Sequence, residues 1–481
     1  MKQIINLEAI AKFHASRKSK ILAIPCQNLL AGSSDGGEDI LEKVGEPPSG
    51  LRTLWKCPVD ISKEEQVSKA NRAEAAKGRF YAAKSFAIAS LSLIFCSQAF
   101  ALPSNPHVMQ GTLMVENVDA KTCVFTVGDE TFLHCDDFSI AEDDLVEFRQ
   151  PSSKSIVVVE VVTDRQSELL GILKSNGGVF IVNPQGIVIG ENGSIDSFGF
   201  FASTLPACAC PLIDGDMDVF VQGSSIAPIT NKGRIKAWEN DVYLIGYKIE
   251  NRGVVDASEG TVSFAAGQDL VLNPSNGHKI GAFPSPIKYT NEETGIDNSG
   301  MIIAARTELK ADGNAYATAI LHSGFIDIIG KDERKGEVYL EADKGDVIIS
   351  GAIAVENSDR TGGNIQIVGE YLFLFENSNI DASGDSQGGN VCIGTEGTQL
   401  AFIDEDASII VDALEEGNAG NVVIRSEGTT CFYGAVSACG GDRSGNGGTV
   451  NIFGKTHLDF QGKVDHLAPH GKEGVLLLNE F

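Results

Sequence analysis

Two acidic clusters are the first places where this sequence could carry out chemistry. One is Asp214-Gly-Asp-Met-Asp218 and the other is Asp404-Glu-Asp406. Carboxylates grouped in this way can act as general acid and base, or they can bind calcium. The first cluster departs from a calcium loop, because Val219 stands where the loop needs Gly and Ser225 where it needs Glu. In so acidic a chain such clusters also arise as solvated surface, so no catalytic residue is predicted.

Cysteine and histidine offer a second type of site. Cys208-Ala-Cys210 is a CxC pair, but a zinc site needs about four ligands and no second pair with suitable spacing follows. Three histidines and two aspartates cluster near the C-terminus: His457, Asp459, Asp465, His466 and His470. We interpret this second group as a solvated tail and predict neither a metal nor a cofactor.

The stretch GGVFIVNPQGIVIGENGSID, Gly177 to Asp196, places two apolar runs around Asn183-Pro184-Gln185-Gly186. Both runs are rich in β-branched residues, which favour strands. Asn at the first position, Pro at the second and Gly at the fourth fit a type I turn. Neither run alternates apolar with polar residues, so both faces of each strand must be covered. A lone hairpin cannot do this, and the rest of the chain must stack on it.

Charge divides the chain near residue 101. The whole chain has a net charge of −27, yet residues 1–101 hold 14 Lys+Arg against 10 Asp+Glu, so the remainder is strongly acidic. A protein with this charge is a poor partner for nucleic acid or anionic lipid. We therefore expect no nucleic-acid partner.

An apolar segment, Phe86–Ala101, follows three basic residues and is shorter than a typical membrane span. Ala99-Phe-Ala101 fits a small-x-small cleavage site, so the segment is predicted to be a secretory signal peptide with the mature chain beginning at Leu102. The long upstream segment is either part of an unusual leader or the result of a start assigned too early.

Internal repeats are the strongest indication of the fold. An Asn-x-Gly-x-Val/Ile pattern recurs in the middle of the chain, at Asn231, Asn251, Asn298 and, in a weaker form, His322. A Gly-Asn/Thr-Val/Ile-x-Ile pattern takes over afterwards, at Gly363, Gly389, Gly420 and Gly448. A period of 20 to 31 residues with short strands is typical of a β-solenoid, in which the strands of successive coils pair in parallel. Its first coil needs a cap, and residues 102–165 are the candidate.

Several segments resemble a known family. Residues 166–190 are similar to the secretion domain of filamentous haemagglutinin-like proteins, the exported partners of two-partner secretion systems. Its Asn-Pro-Asn-Gly-Ile/Val motif matches Asn183-Pro184-Gln185-Gly186-Ile187, with Gln185 in place of the usual second Asn. Phe148–Ser152 resembles its Phe-x-Gln-Pro element, and Phe201–Leu205 resembles its Val-Ala-Ser-Thr-Leu element. An Asn-Arg pair expected after the Phe-x-Gln-Pro element is absent, and the long repeat shaft of the family is missing.

The resemblance implies an all-β, right-handed parallel β-helix with an N-terminal β cap. It also implies a route: across the inner membrane through the general export machinery, then across the outer membrane through a β-barrel transporter that recognises the N-terminal domain. The expected location is the medium or cell surface of a Gram-negative-type bacterium, reached through the periplasm. An adhesin or haemagglutinin-like role with a host-surface or glycan ligand is expected. The motif Asn183–Ile187 is interpreted as equally structural and recognitional.

Two alternatives remain open. The chain could be a truncated, non-functional family member, or a β-helix enzyme acting on glycans. Our prediction is that it is not an enzyme. The expected organisation is an N-terminal extension at 1–84, a signal-peptide hydrophobic region at 85–101, a cap at 102–165, the secretion-domain β-helix at 166–330, continued repeats at 331–465 and a tail at 466–481.

Export of an unfolded chain, which the resemblance implies, also limits disulfides. A bridge closing a large loop would block threading through a narrow pore, so only Cys123–Cys135 and Cys431–Cys439 are tolerable pairs. We expect mostly reduced cysteines that pack as small apolar residues.

Overall fold

The structure is a computed structural model, and it describes residues 102–206, 219–272, 280–282, 293–331 and 336–480. These residues belong to one unit, Gln98–Phe481. Within the described ranges the chain forms strands and no α-helix, and hence no helix able to cross a membrane. The predicted signal peptide with Ala99 and Ala101, the Cys208–Cys210 pair and the Asp214–Asp218 cluster lie outside the described residues.

Thirty-eight strands follow one another along the described chain. The first twelve are β1 (His107–Gln110), β2 (Leu113–Asn117), β3 (Thr122–Val127), β4 (Glu130–Cys135), β5 (Leu145–Arg149), β6 (Ile156–Val161), β7 (Ser167–Leu169), β8 (Ile172–Ser175), β9 (Gly178–Val182), β10 (Ile187–Ile189), β11 (Ser194–Ser197) and β12 (Gly199–Ser203). The next twelve are β13 (Val219–Gln222), β14 (Pro228–Asn231), β15 (Arg234–Ala237), β16 (Val242–Gly246), β17 (Lys248–Asn251), β18 (Val254–Ala266), β19 (Asp269–Leu272), β20 (Ile280–Ala282), β21 (Thr294–Asn298), β22 (Met301–Ala311), β23 (Thr318–His322) and β24 (Phe325–Gly330). The last are β25 (Glu337–Ile349), β26 (Ala352–Asn357), β27 (Asn364–Leu374), β28 (Asn379–Asp381), β29 (Asn390–Ile393), β30 (Leu400–Ile403), β31 (Ser408–Ile410), β32 (Asn421–Ser426), β33 (Thr429–Phe432), β34 (Ala435–Ser437), β35 (Thr449–Gly454), β36 (His457–Phe460), β37 (Lys463–Asp465) and β38 (Val475–Glu480).

Most of these strands stack in parallel, coil upon coil, into three faces. Face A contains β7, β10, β14, β17, β21, β23, the second halves of β25 and β27, β30, β33 and β36. Face B contains β3, β5, β8, β11, β15, the first halves of β18 and β22, β24, β26, β28, β31, β34 and β37. Face C contains β4, β6, β9, β12, β16, the second halves of β18 and β22, the first halves of β25 and β27, β29, β32, β35 and β38. The predicted parallel β-helix is confirmed.

Alternation along each strand builds the core between the faces. In β29, Val391 and Ile393 point inward and are buried, whereas Asn390 is exposed. Burying one such aliphatic side chain contributes about 2 kcal/mol, and each coil adds several of them. The core is therefore one continuous stack along the β-helix, made mainly of Val, Ile, Leu and Ala.

The N-terminal end of the described chain forms an antiparallel β element. Strands β1 and β2 pair antiparallel with β4 and β3, and they close the first coil. Parallel pairing already begins with β3–β5 and β4–β6, inside the segment 102–165 that we expected to be the cap. These first coils lack the Asn and Gly corner residues on which repeat recognition rests. At the other end β38 pairs in parallel with β35, so strands continue into the predicted tail 466–481.

The Asn-x-Gly repeats form the corner between faces A and B. At Gly253, Gly300, Gly324 and Gly351 an added Cβ would collide with the carbonyl oxygen of the equivalent glycine one coil earlier. Only glycine allows the backbones of successive coils to approach so closely at this corner.

A second, smaller sheet lies outside the β-helix. Strand β19 pairs antiparallel with both β13 and β20. All three strands arise from long insertions at the corner between faces C and A. Leu270 of β19 and Ile280 of β20 pack on the outside of face C, which no repeat pattern indicated.

Candidate functional site

The segment Asn183–Gly186 forms the predicted β-turn between β9 and β10. The Gly186 N–H donates to the Asn183 carbonyl oxygen at 3.0 Å, which closes the turn. The Gln185 N–H donates to the Asn183 Oδ1 at 2.9 Å. Gly186 has a φ of 109°, and a Cβ there would meet the Gln166 amide, so the position requires glycine.

Asn183 links three successive corners of the β-helix. Its Nδ2 donates to the Arg165 carbonyl and to the Ser167 Oγ, both at 2.9 Å, in the coil before. Its backbone N–H donates to the Ser203 carbonyl at 2.9 Å in the coil after. The side chain is fully buried, so the Arg165 carbonyl and the Ser167 hydroxyl would each lose this donor if the Asn183 amide were removed. Asn183 is therefore a structural residue.

The outer part of the turn faces solvent. Pro184 is half-buried and Gln185 is exposed. The Ser225 hydroxyl donates to the Pro184 carbonyl at 2.7 Å, so the chain leading into the next coil supports the turn from behind. The motif thus separates into a buried half that holds the turn and an exposed half that a partner can contact.

The small outer sheet explains why β9, the strand before this turn, is apolar on both faces. Phe180 on β9 packs on Phe201 with ring centroids 5.0 Å apart, and Phe201 packs on Tyr243 at 6.1 Å. Leu270 and Ile280 of the outer sheet are buried in the same cluster. The outward side of β9 is therefore covered by insertions, in addition to the contacts that β9 makes with neighbouring coils.

An ion-pair network lies where the outer sheet meets β22. Glu308 is fully buried, and its carboxylate pairs with Arg306 at 3.0 Å and with Lys310 at 3.9 Å. The Ile280 N–H of the outer sheet donates to the same carboxylate at 3.3 Å. Burying a carboxylate is costly unless charged and hydrogen-bonding partners compensate for its lost hydration. Sequence analysis missed this network, because charged residues in a strand ordinarily indicate an exposed face.

The Asn-x-Gly repeat builds a buried amide ladder inside face A. Asn231 Nδ2 donates to Asn251 Oδ1 at 2.8 Å, and Asn251 Nδ2 donates to Asn298 Oδ1 at 2.7 Å. Asn298 Nδ2 lies 3.0 Å from His322 Nδ1. All four side chains are 0% exposed. The weak fourth copy of the repeat therefore ends the ladder.

The ladder and its surroundings define the tautomer of His322. Its Nδ1 accepts from Asn298, and its Nε2–H donates to the Ala352 carbonyl at 3.1 Å. Burial lowers the pKa of His322 to about 4. The ring is neutral at physiological pH, as this hydrogen-bonding arrangement requires.

The remaining sequence candidates do not converge. Asp404, Glu405 and Asp406 form the turn between β30 and β31, and the three C-terminal histidines are dispersed over the last coil. Among the described residues no group of three or more His, Cys, Asp or Glu could hold a metal ion.

The five described cysteines are free. Cys123 and Cys135 are buried, and desolvation raises the pKa of Cys135 to about 12. Cys392, Cys431 and Cys439 are half-buried, and burial raises the pKa of each.

Comparison with known families identifies the segment that contains the turn, the ladder and the outer sheet. The family model of the TPS secretion domain matches residues 122–355. The chain carries a TPS secretion domain. This match bears out the resemblance that the Asn183–Ile187 motif suggested.

Relatives extend the similarity beyond that segment. A heme/hemopexin-binding protein of Haemophilus influenzae strain Rd is 26% identical over 411 residues, which is 79% of this chain and 44% of the relative. A second Haemophilus influenzae protein of the same description is 24% identical over 458 residues, 82% of this chain and 48% of that protein. This chain therefore spans about half the length of these curated relatives.

The fold of the TPS secretion domain is also found in a solved structure. The crystal structure of the HMW1 secretion domain from Haemophilus influenzae is 25% identical, with a TM-score of 0.60. The similarity covers 78% of this chain and all of the HMW1 domain.

Proposed function

We propose that this chain is the secreted partner of a two-partner secretion system, and that its TPS secretion domain directs export through a separate outer-membrane β-barrel transporter. The family match carries the proposal. In this proposal the chain first crosses the inner membrane through the general export machinery. It then reaches the medium or the cell surface, where an adhesin-like role with a host-surface ligand follows.

The turn Asn183–Gly186 supplies the surface that the transporter reads. The exposed Gln185 and the half-buried Pro184 can be contacted from outside, whereas Asn183 is committed to hydrogen bonds within the β-helix. Because Asn183 bonds to the coil before and the coil after, the turn takes its final shape only when three coils are stacked. Recognition by the turn and folding of the early coils are thereby linked.

Export from a cell that contains the chain and a candidate outer-membrane transporter from the same genome tests the proposal. We expect the wild-type chain in the medium only when the transporter is present. Deletion of residues 122–355 should leave signal-cleaved protein in the periplasm. Secretion without any transporter, or secretion of the deleted chain, would contradict the proposal.

Three variants separate recognition from folding. Gln185→Ala should reduce export while leaving the thermal unfolding midpoint unchanged, because the side chain is exposed. Asn183→Ala should reduce export and should also lower the free energy of unfolding by about 2 kcal/mol or more, since it leaves several buried groups unpaired. Asn251→Ala is the matched control, because it removes a buried Asn away from the turn. If Asn183→Ala and Asn251→Ala lower export equally and Gln185→Ala has no effect, the turn has no role in recognition.

A further inference from the structure

A row of aromatic side chains lies on the outside of face A, beyond the segment matched by the TPS secretion domain. We name the aromatic strip by four residues, Phe373, Phe375, Phe402 and Tyr433, from three successive coils. Phe373 and Phe402 are in parallel register on β27 and β30, and Asp459 on β36 ends the same column. The strip therefore runs along the axis of the β-helix.

The rings of the aromatic strip contact one another in sequence. Phe373 stacks on Phe375 with centroids 5.7 Å apart and planes inclined by 17°. Phe375 lies 6.2 Å from Phe402, and Phe402 lies 5.7 Å from Tyr433 with its plane at 69°. All four are half-buried, so part of each ring faces solvent. A contiguous aromatic row whose rings are partly open to solvent can serve as a stacking surface for a ligand.

Polar groups are fixed at one end of the aromatic strip. The Tyr433 hydroxyl donates to Asp459 Oδ2 at 2.7 Å, and Gln461 Nε2 donates to Asp459 Oδ1 at 3.0 Å. Hydrogen bonds from Gln461 and Tyr433 lower the pKa of Asp459, so it is an ionised acceptor with a fixed orientation. Asp404, one of the acidic residues noted in the sequence, follows β30 directly beside the strip.

These features define the chemistry of a ligand. Aromatic rings in a row accept flat, apolar C–H surfaces, and an oriented carboxylate and amide accept and donate hydrogen bonds to hydroxyl groups. A pyranose ring offers both, since one of its faces carries C–H groups and its rim carries hydroxyls. Successive coils are about 4.8 Å apart, so a linear polymer can pass over several rings in turn. The carboxylates oppose an anionic polymer.

We propose that the aromatic strip binds a neutral, linear glycan whose sugar rings stack on successive aromatic side chains and whose hydroxyls bond to Asp459. This binding site is separate from the export role of the TPS secretion domain. It lies on the continued repeats, so export and glycan binding use different coils of one β-helix.

Titration calorimetry of the purified full chain with three neutral hexasaccharides, cellohexaose, laminarihexaose and maltohexaose, tests the proposal. At least one should bind, and hyaluronan, an anionic linear glycan, should bind at least about tenfold more weakly. Phe402→Leu keeps the apolar volume but removes the ring, and it should weaken binding by about tenfold. Asp459→Asn should also weaken it, because the ionised acceptor is lost.

Trp238 provides a matched control. It is an exposed aromatic residue at the corner between faces B and C, where its indole N–H bonds to Asp196, and Trp238→Ala should leave binding unchanged. Circular dichroism melting of each variant shows that the β-helix is intact. The proposal is overturned if no neutral hexasaccharide binds, or if Phe402→Leu binds as well as the wild type. It is also overturned if the strip variants leave glycan binding unchanged and instead abolish binding of hemin, or abolish self-association measured by sedimentation. These measurements use purified protein, so failure of the export proposal would not affect them.

Discussion

Two asparagine ladders run along this β-helix, and they differ in burial rather than in hydrogen bonding. In the buried ladder the amides of Asn231, Asn251 and Asn298 are joined by hydrogen bonds of 2.8 and 2.7 Å inside face A. In the exposed ladder Asn390 Nδ2 donates to Asn364 Oδ1 at 2.9 Å, and Asn421 Nδ2 donates to Asn390 Oδ1 at 3.0 Å, on the outside of face C.

The comparison shows that the same Asn–Asn hydrogen bond contributes differently to stability when it is buried and when it is exposed. Water can replace a lost partner in the exposed ladder, so the net value of each bond is small. In the buried ladder no water is available, and each unpaired amide group costs about 1–3 kcal/mol. The buried ladder also fixes register, because an Asn moved out of the column would face apolar side chains. The following experiments measure how far this contrast extends.

Replacing Asn251 by Asp should have the largest effect. The substitution keeps the shape, but it puts a charge into the core and removes the donor to Asn298. We expect the free energy of unfolding to fall by about 5 kcal/mol or more at neutral pH. Asn390→Asp, its exposed counterpart, should change it by less than about 1 kcal/mol. Urea unfolding followed by circular dichroism measures both changes. Similar losses of stability in the two ladders would show that burial does not set the energy of these bonds.

Asn251→Ala should have the next largest effect. It leaves Asn298 Oδ1 without its ladder donor and Asn231 Nδ2 with only a long, 3.5 Å contact to the Val254 carbonyl, which we expect to cost about 4 kcal/mol in the same unfolding assay. A loss below about 1 kcal/mol would mean that the neighbouring amides find new partners, and that the ladder is adjustable.

Acid should weaken the buried ladder through His322. The pKa of this ring falls from its ordinary 6.5 to about 4 in the folded chain, so the unfolded chain binds more protons between these values. Stability therefore decreases as pH falls from about 6.5 to 4 and is unaffected by this group above that window, with a total of about 3 kcal/mol. His322→Asn continues the ladder without a titrating ring. The unfolding free energy of the variant should lack this slope, and an unchanged slope in the variant would show that other groups cause it.

The smallest expected effect is that of Asn390→Ala. Its hydrogen bonds to Asn364 and Asn421 are exposed, so we expect a change within about 0.5 kcal/mol. A loss comparable to that of Asn251→Ala would show that ladder continuity, rather than burial, sets the energy.

The sequence contains the information that separates the two ladders. Asn231, Asn251 and Asn298 each follow an Ile by two positions, so they share its inward direction. Asn364, Asn390 and Asn421 each stand next to an inward Ile or Val and therefore point outward. The repeats predicted the coils because corner residues and alternation are local properties of the chain.

Other features could not be predicted in the same way. The outer sheet joins Val219–Gln222 to Asp269–Leu272, which are far apart in the sequence and carry no shared pattern. The burial of Glu308 depends on that sheet. Phe373 and Phe402 face each other only because the segment between them makes one full coil, and its length follows no fixed repeat. The role of Gln185 in recognition stays a prediction.

In the coils of the TPS secretion domain, two corners of the β-helix differ in how much change in chain length they accept. Between faces A and B, Gly253, Gly300, Gly324 and Gly351 hold successive backbones so close that no side chain fits. Between faces C and A, the chain instead accommodates the long segments 204–227 and 267–293. Foreign peptides grafted into these two segments should be tolerated, as epitope display requires. Changes in length at the first corner would have to add or remove whole coils.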